Sequence, residues 1–215
     1  VNVRRGVDAD DPSEAIRTAL MTDPRVLSVE LVGSRAAGMA TVLSDWDYRI
    51  SSTEPGAVAT QLPLLVAELR PLARLWDPLA TSPVFMVVLA GAVKADLLPG
   101  ARPNPTTAAG GRTPRPELHD IDAHFWDWNL WLGAKRLRGQ DTLVRAELGK
   151  MWRHLLRPLG AAGPPATQQQ AIILYLGLRP KREQQLGQAV SPDLGNAVIT
   201  RLQAAGLLPS PLPSA

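Results

Sequence analysis

Val29-Glu30-Leu31-Val32-Gly33-Ser34-Arg35-Ala36-Ala37-Gly38-Met39-Ala40-Thr41-Val42-Leu43-Ser44-Asp45-Trp46-Asp47-Tyr48-Arg49-Ile50 is the stretch whose reading decides the fold. An apolar strand runs into Gly33-Ser34, a turn of small residues follows, and a second strand opens on Asp45-Trp46-Asp47. Side chains alternate along a strand, so Asp45 and Asp47 are expected on one face, about 6–7 Å apart at the backbone. Two carboxylates that close repel each other unless a cation sits between them. Beside a glycine-bearing turn, Mg²⁺ carrying a phosphate is the economical occupant.

Upstream, Asp11-Pro12-Ser13-Glu14 is a helix start: an acidic N-cap, proline at the first helical position and glutamate at the third. Ile16, Ala19 and Leu20 give that helix an apolar face, and Asp23-Pro24 ends it. The β-branched run 26–32 then reads as the first strand. The small residues 34–40 suit a short helix or turn whose backbone N–H groups and Ser34 hydroxyl could meet a phosphate. Downstream, Pro55 opens a helix to about Leu69, with Val58, Leu62, Leu65, Val66 and Leu69 on one face. Residues 84–90 form a buried strand, Gly91-Ala92 turns the chain, and residues 93–98 return as its hairpin partner. Asp96 then lies in the middle of an apolar strand, where a carboxylate is costly unless paired or coordinated. Arg49 or Lys94 could supply a simple ion pair, and a metal could supply coordination.

From Pro99 to Pro116 the chain is rich in Pro, Gly and Thr without periodicity, which marks a domain boundary. Beyond it the pattern is helical: 117–137 closed by Gly139, 141–157 stopped by Pro158, about 167–178 before Pro180, and about 192–205. Gly206 onward, with Pro209, Pro211 and Pro213, reads as a frayed tail. The expected organisation is a mixed-sheet α+β domain over 1–105, an all-α domain over 106–208 and a flexible tail over 209–215.

At 215 residues, 45% hydrophobic and 20% charged, the composition is that of a globular protein. No apolar run is long enough for a membrane span, and the polar, acidic stretch 1–11 lacks a signal-peptide core. Absence of cysteine removes thiolate nucleophiles, cysteine zinc sites and disulfides, and suits a cytoplasmic protein. The 23 Lys and Arg nearly balance the 20 Asp and Glu, and no block of like charge reads as a nucleic-acid arm. His119, His124 and His154 lack metal-ligand spacing.

Gly33-Ser34, Gly38, Ser44-Asp45, Asp47 and Asp96 together resemble the signature of the polymerase-β-like nucleotidyltransferase superfamily, over residues 25–98. The helical part loosely resembles that of bacterial aminoglycoside and lincosamide nucleotidyltransferases. The resemblance implies an α/β-like catalytic domain and two Mg²⁺ ions held by Asp45, Asp47 and Asp96. It also implies ATP or another nucleoside triphosphate as donor, with Gly33, Ser34 and Ser44 on the phosphate side. Attack at the α-phosphate by a hydroxylated small molecule would transfer a nucleoside monophosphate and release pyrophosphate. A lysine reaching the triphosphate corresponds to Lys135. Where some relatives place a catalytic glutamate, this chain has Trp131, so Asp127 is the substitute candidate for general base, and Asp96 acting alone is its rival.

The aromatic group Phe125, Trp126, Trp128 and Trp131 reads first as helix-packing core, with one ring available for an acceptor pocket. Two other functions compete: an antitoxin-type nucleotidyltransferase acting on a protein or tRNA, and a non-catalytic nucleotide-binding protein. The long helical part favours a small-molecule acceptor, and the three carboxylates favour catalysis. A monomer or a homodimer is expected, with no membrane or nucleic-acid partner.

Overall fold

The computed structural model describes residues 11–104 and 117–212. The stretch read as lacking a signal-peptide core therefore lies almost wholly outside the described residues, as do most of the proline-rich boundary and Pro213. The chain folds into two compact units: Val1–Ala37 with Trp46–Thr106, and Gly38–Asp45 with Thr107–Ala215.

The first unit is a five-stranded mixed sheet. Its strands are β1 (Val26–Val32), β2 (Trp46–Ser52), β3 (Ala73–Trp76), β4 (Phe85–Leu89) and β5 (Val93–Leu98), in the order β1-β2-β5-β4-β3. Strands β2 and β5 run parallel, and every other pairing is antiparallel. Trp46, Tyr48 and Ile50 of β2, Phe85 and Val87 of β4, and Val93, Ala95 and Leu97 of β5 alternate onto one face. There they join Ile16 and Leu20 of helix α1 (Ser13–Leu20) in a single core. Val58 and Leu62 of α3 (Pro55–Leu65), with Val66 after it, complete the core. Each fully buried Val, Leu, Ile or Phe among them contributes roughly 1.5–3 kcal/mol of burial free energy. The Asp11 carboxylate accepts a hydrogen bond from the Ser13 N–H at 2.8 Å, which satisfies one free donor at the start of α1. Between β1 and β2 the chain makes one helical turn, α2 (Gly33–Ala36).

The second unit is helical among its described residues: α4 (Leu118–Leu137), α5 (Asp141–Met151), α6 (Gln168–Leu186) and α7 (Asp193–Ala204). Helix α4 is buried on nearly all sides from Leu118 to Ala134, as the centre of a bundle must be. Its Phe125 ring stacks on Tyr175 of α6 at 4.0 Å between centroids. Asp122 accepts hydrogen bonds from Trp126 Nε1, at 3.0 Å, and from the Tyr175 hydroxyl. Burial pushes the Asp122 carboxyl above the usual carboxylate range, against those hydrogen bonds and the nearby Arg179. Gly195 of α7 leaves room for the Trp126 indole, because a Cβ there would lie 2.7 Å from the ring.

Several elements differ from the sequence expectations, each for a physical reason. Asp45 stands one residue outside β2, whose first residue is Trp46, so strand alternation does not fix its direction. Strand β3 has no counterpart in the sequence reading. It is four residues long, carries Arg74 in its middle, and pairs along one side only. The third helix ends at Leu65 and tightens into a 3₁₀ turn over Ala67–Leu69. Helix α5 ends at Met151 and continues as a π turn over Trp152–Leu156 and a 3₁₀ turn that accommodates Pro158. Helix α6 passes through Pro180 to Leu186 instead of stopping. The Arg179–Glu183 ion pair spans the proline at 3.5 Å, and Gly187, at φ 62°, closes the helix with a left-handed turn. The tail expected to fray is tied down at its start: Leu208 is buried, and Arg136 donates to the Leu207 carbonyl at 3.1 Å.

The chain holds two tyrosines, and both hydroxyls are enclosed. Burial pushes the Tyr48 phenol up to about 12, opposed by its 2.8 Å hydrogen bond with Ser13 Oγ. Burial and the adjacent Asp122 carboxylate raise Tyr175 as well. Folded values above the ordinary value of about 10 mean that this stabilisation is complete below about pH 10. It is lost as the pH rises through the folded values. At pH 11 the native chain should show less than about a tenth of the tyrosinate absorbance of the denatured chain. Full ionisation of the native chain near pH 10 would contradict this packing.

Candidate active site

Glycine at position 33 has a specific cause. Its φ is +67°, a backbone conformation that side chains disfavour. A Cβ there would overlap Asp47 Oδ2 and lie 2.9 Å from Asp47 Cγ. The Asp47 carboxylate thus sits directly against the backbone of the Gly33-Ser34 turn, in the space a side chain would fill. The pairing of β1 with β2 sets this up, because Val32 is the register partner of Asp47.

On its other side, β2 pairs in parallel with β5, and Asp47 is the register partner of Asp96. Neighbouring strands are about 4.8 Å apart. Trp46, Tyr48, Val93, Ala95 and Leu97 occupy the core face, so Asp47 and Asp96 share the opposite face. Lys94, two residues before Asp96, lies on that same face. Its ammonium stands 2.8 Å from Asp96 Oδ2, with the lysine side chain 7% exposed and the aspartate 14%. Of the two cations the sequence offered to Asp96, Lys94 makes the ion pair, whereas Arg49 is exposed.

The other residues singled out in the sequence are distributed as follows. Ser34 is half-buried in α2, whose Arg35 lies 3.9 Å from the centre of the Trp46 ring. Ser44 and Asp45 belong to the second unit, as do Asp127 and Lys135 on α4. Ser44 has structural work there: its hydroxyl receives a hydrogen bond from the Thr41 N–H and one from Arg138 Nη2, each at 2.8 Å. Arg201 donates to the Val42 carbonyl at 3.1 Å, and Leu43 packs where Gly133 leaves room for it. Asp127 is buried, and the Lys135 ammonium lies 4.7 Å from the centre of the Trp131 ring. His124 stacks on Trp128 at 5.3 Å. A cavity of about 280 Å³ in the second unit, lined by Arg136, Arg145, Thr167 and Gln168 among others, contains none of the candidate residues.

The sequence offers Lys94 only as an alternative partner for Asp96. The signal for Lys94 was present as Lys-x-Asp on a strand, which puts both ends on one face. No local signal pointed to the Arg138–Ser44 contact, which joins residues far apart in the chain.

The donor set can be tested against a hard dication. The Asp47–Asp96 pair offers carboxylate oxygens alone, the ligands Mg²⁺ prefers. A cation already stands at this place, in the form of the Lys94 ammonium. Among the described residues, no group of three or more His, Cys, Asp or Glu side chains is gathered as a metal centre. Mg²⁺ bound through one or two carboxylates, with water and substrate phosphates completing its shell, needs no such cage. In donor type the pair therefore fits a hard dication that takes the rest of its shell from elsewhere. No protein-family model matches this chain, and no curated protein matches its sequence.

Proposed function

We propose that the chain transfers a nucleoside monophosphate, in the first instance AMP from ATP, to a hydroxyl of a small molecule. The observation that carries this reading is the register match of Asp47 and Asp96 on parallel neighbouring strands, with Asp47 seated against Gly33. Ser44, Asp45, Asp127 and Lys135, which the resemblance also enlists, lie in the second unit, and the proposal stands without them.

In this reading Asp47 and Asp96 hold the cation, Asp47 occupying the space that glycine at 33 leaves open, and the backbone N–H groups and Ser34 hydroxyl of the turn receive the phosphates. Bound there, Mg²⁺ would supply charge neutralisation and Lewis acidity at the reacting phosphate. The acceptor oxygen forms a bond to the α-phosphorus as the bond from that phosphorus to the β-phosphate oxygen breaks. Pyrophosphate leaves, and the hydroxyl proton passes to a carboxylate, for which Asp96 is the candidate in the first unit.

One observation favours a second reading. The Lys94–Asp96 pair is internally neutral and largely buried, an arrangement a non-catalytic nucleotide-binding protein could keep as structure alone. Pyrophosphate release separates the two. Each of ATP, GTP, CTP and UTP is offered with Mg²⁺ against hydroxylated antibiotics, and separately against tRNA and protein acceptors. Release that needs a small hydroxylated acceptor and stops on chelation supports transfer. Release only with tRNA or protein moves the reading to macromolecular modification, and no release under any condition supports the non-catalytic one.

A further inference from the structure

We propose that Lys94 is the resident counter-ion of this carboxylate site, holding Asp96 while no dication is bound and yielding it when one binds. This rests on the reading of Asp47 and Asp96 as metal-holding residues. Lys94 has Val88 of β4 as its register partner, and its side chain is 7% exposed. An ammonium and a carboxylate so enclosed are costly unless each neutralises the other, and at 2.8 Å they do. The same ammonium opposes a dication at Asp96, because two cations cannot share one carboxylate oxygen without strong repulsion. A lysine is suited to yielding, since its compact charge rides on four rotatable bonds.

The consequence is a site whose Asp96 is already neutralised in the absence of a dication and which binds metal weakly by itself. A nucleotide changes that balance, because its phosphates add negative charge for both the dication and the displaced ammonium. Metal and nucleotide then bind cooperatively, and Lys94 is the positioning residue that links them.

The test is Mn²⁺ binding to the full chain without nucleotide, read from the loss of the free Mn²⁺ paramagnetic resonance signal, together with thermal melting. Lys94→Met should bind Mn²⁺ about tenfold or more tightly than the unaltered chain. Its melting temperature should fall, and Mn²⁺ should restore it, because the dication replaces the missing ammonium. Lys94→Arg, which keeps the charge, should bind Mn²⁺ as weakly as the unaltered chain. If Lys94→Met does not fold, Lys94→Gln carries the same expectation while retaining a hydrogen-bond donor to Asp96. Equal or weaker Mn²⁺ binding after loss of the charge overturns the role of Lys94. If that binding is still lost in Asp47→Asn, the carboxylate site itself survives. Absence of Mn²⁺ binding in every variant, with ATP present or not, removes the site and the role of Lys94 together.

Discussion

Replacing Asp47 by Asn is expected to lower metal-dependent pyrophosphate release by about a thousandfold or more, with the fold intact. The substitution keeps size and shape and removes one formal charge from the pair proposed to hold the cation. Charge neutralisation by a bound metal is worth several kcal/mol in the transition state, and each ~1.4 kcal/mol is tenfold in rate. Stability should change little, because asparagine keeps the size and shape of the side chain seated against Gly33. Steady-state pyrophosphate release and a urea melt on the same preparation measure the two effects. A variant that keeps more than about a tenth of the activity would remove Asp47 from the site.

Gly33→Ala should damage both stability and the site, whereas Gly38→Ala should damage stability alone and less. Both glycines adopt positive φ, +67° and +69°, so each alanine bears the left-handed penalty of about 1–2 kcal/mol. At position 38 a Cβ meets nothing within 4 Å. At position 33 it overlaps the Asp47 carboxylate, which must swing aside or push the turn away from β2. That overlap adds about 1–3 kcal/mol. Urea denaturation should therefore separate the two variants, and only Gly33→Ala should lose Mg²⁺-dependent nucleotide binding. Equal behaviour of the two would mean that the close approach of Gly33 to Asp47 has no role.

The parts of this fold that sequence reading recovered are those written in local pattern. Strand β1, the Gly33-Ser34 turn, and the β4–β5 hairpin with Asp96 in its second strand all follow from alternation, branching and turn chemistry. Strand β3 was missed because four residues with a central arginine carry no usable period. Proline is a helix breaker in isolation, which is why the sequence reading ends helix α6 before Pro180, whereas the helix runs on to the left-handed closure at Gly187. The segment Gly38–Asp45 was assigned to the sheet domain because it lies between two of its elements in the chain. Its Leu43, Ser44 and Val42 are instead tied to Gly133, Arg138 and Arg201, contacts between distant residues that no window contains.

The candidate site divides along the same line. Asp47 and Asp96 were legible as carboxylates that need partners, but nothing local says that β2 and β5 are parallel neighbours with these two residues in register. That match, rather than the Asp45-x-Asp47 spacing, is the strongest geometric support for a cation site, since Asp45 falls outside the strand that would have aimed it.

The central claim is that Asp47 and Asp96 receive a metal-borne nucleotide, and calorimetric titration with an ATP analogue that cannot be cleaved at the α–β bridge tests it most directly. The unaltered chain should bind the analogue with Mg²⁺ and lose that binding on chelation, and Asp47→Asn and Asp96→Asn should each fail to bind it. Binding of equal strength without Mg²⁺, or binding that both variants retain, would contradict the assignment.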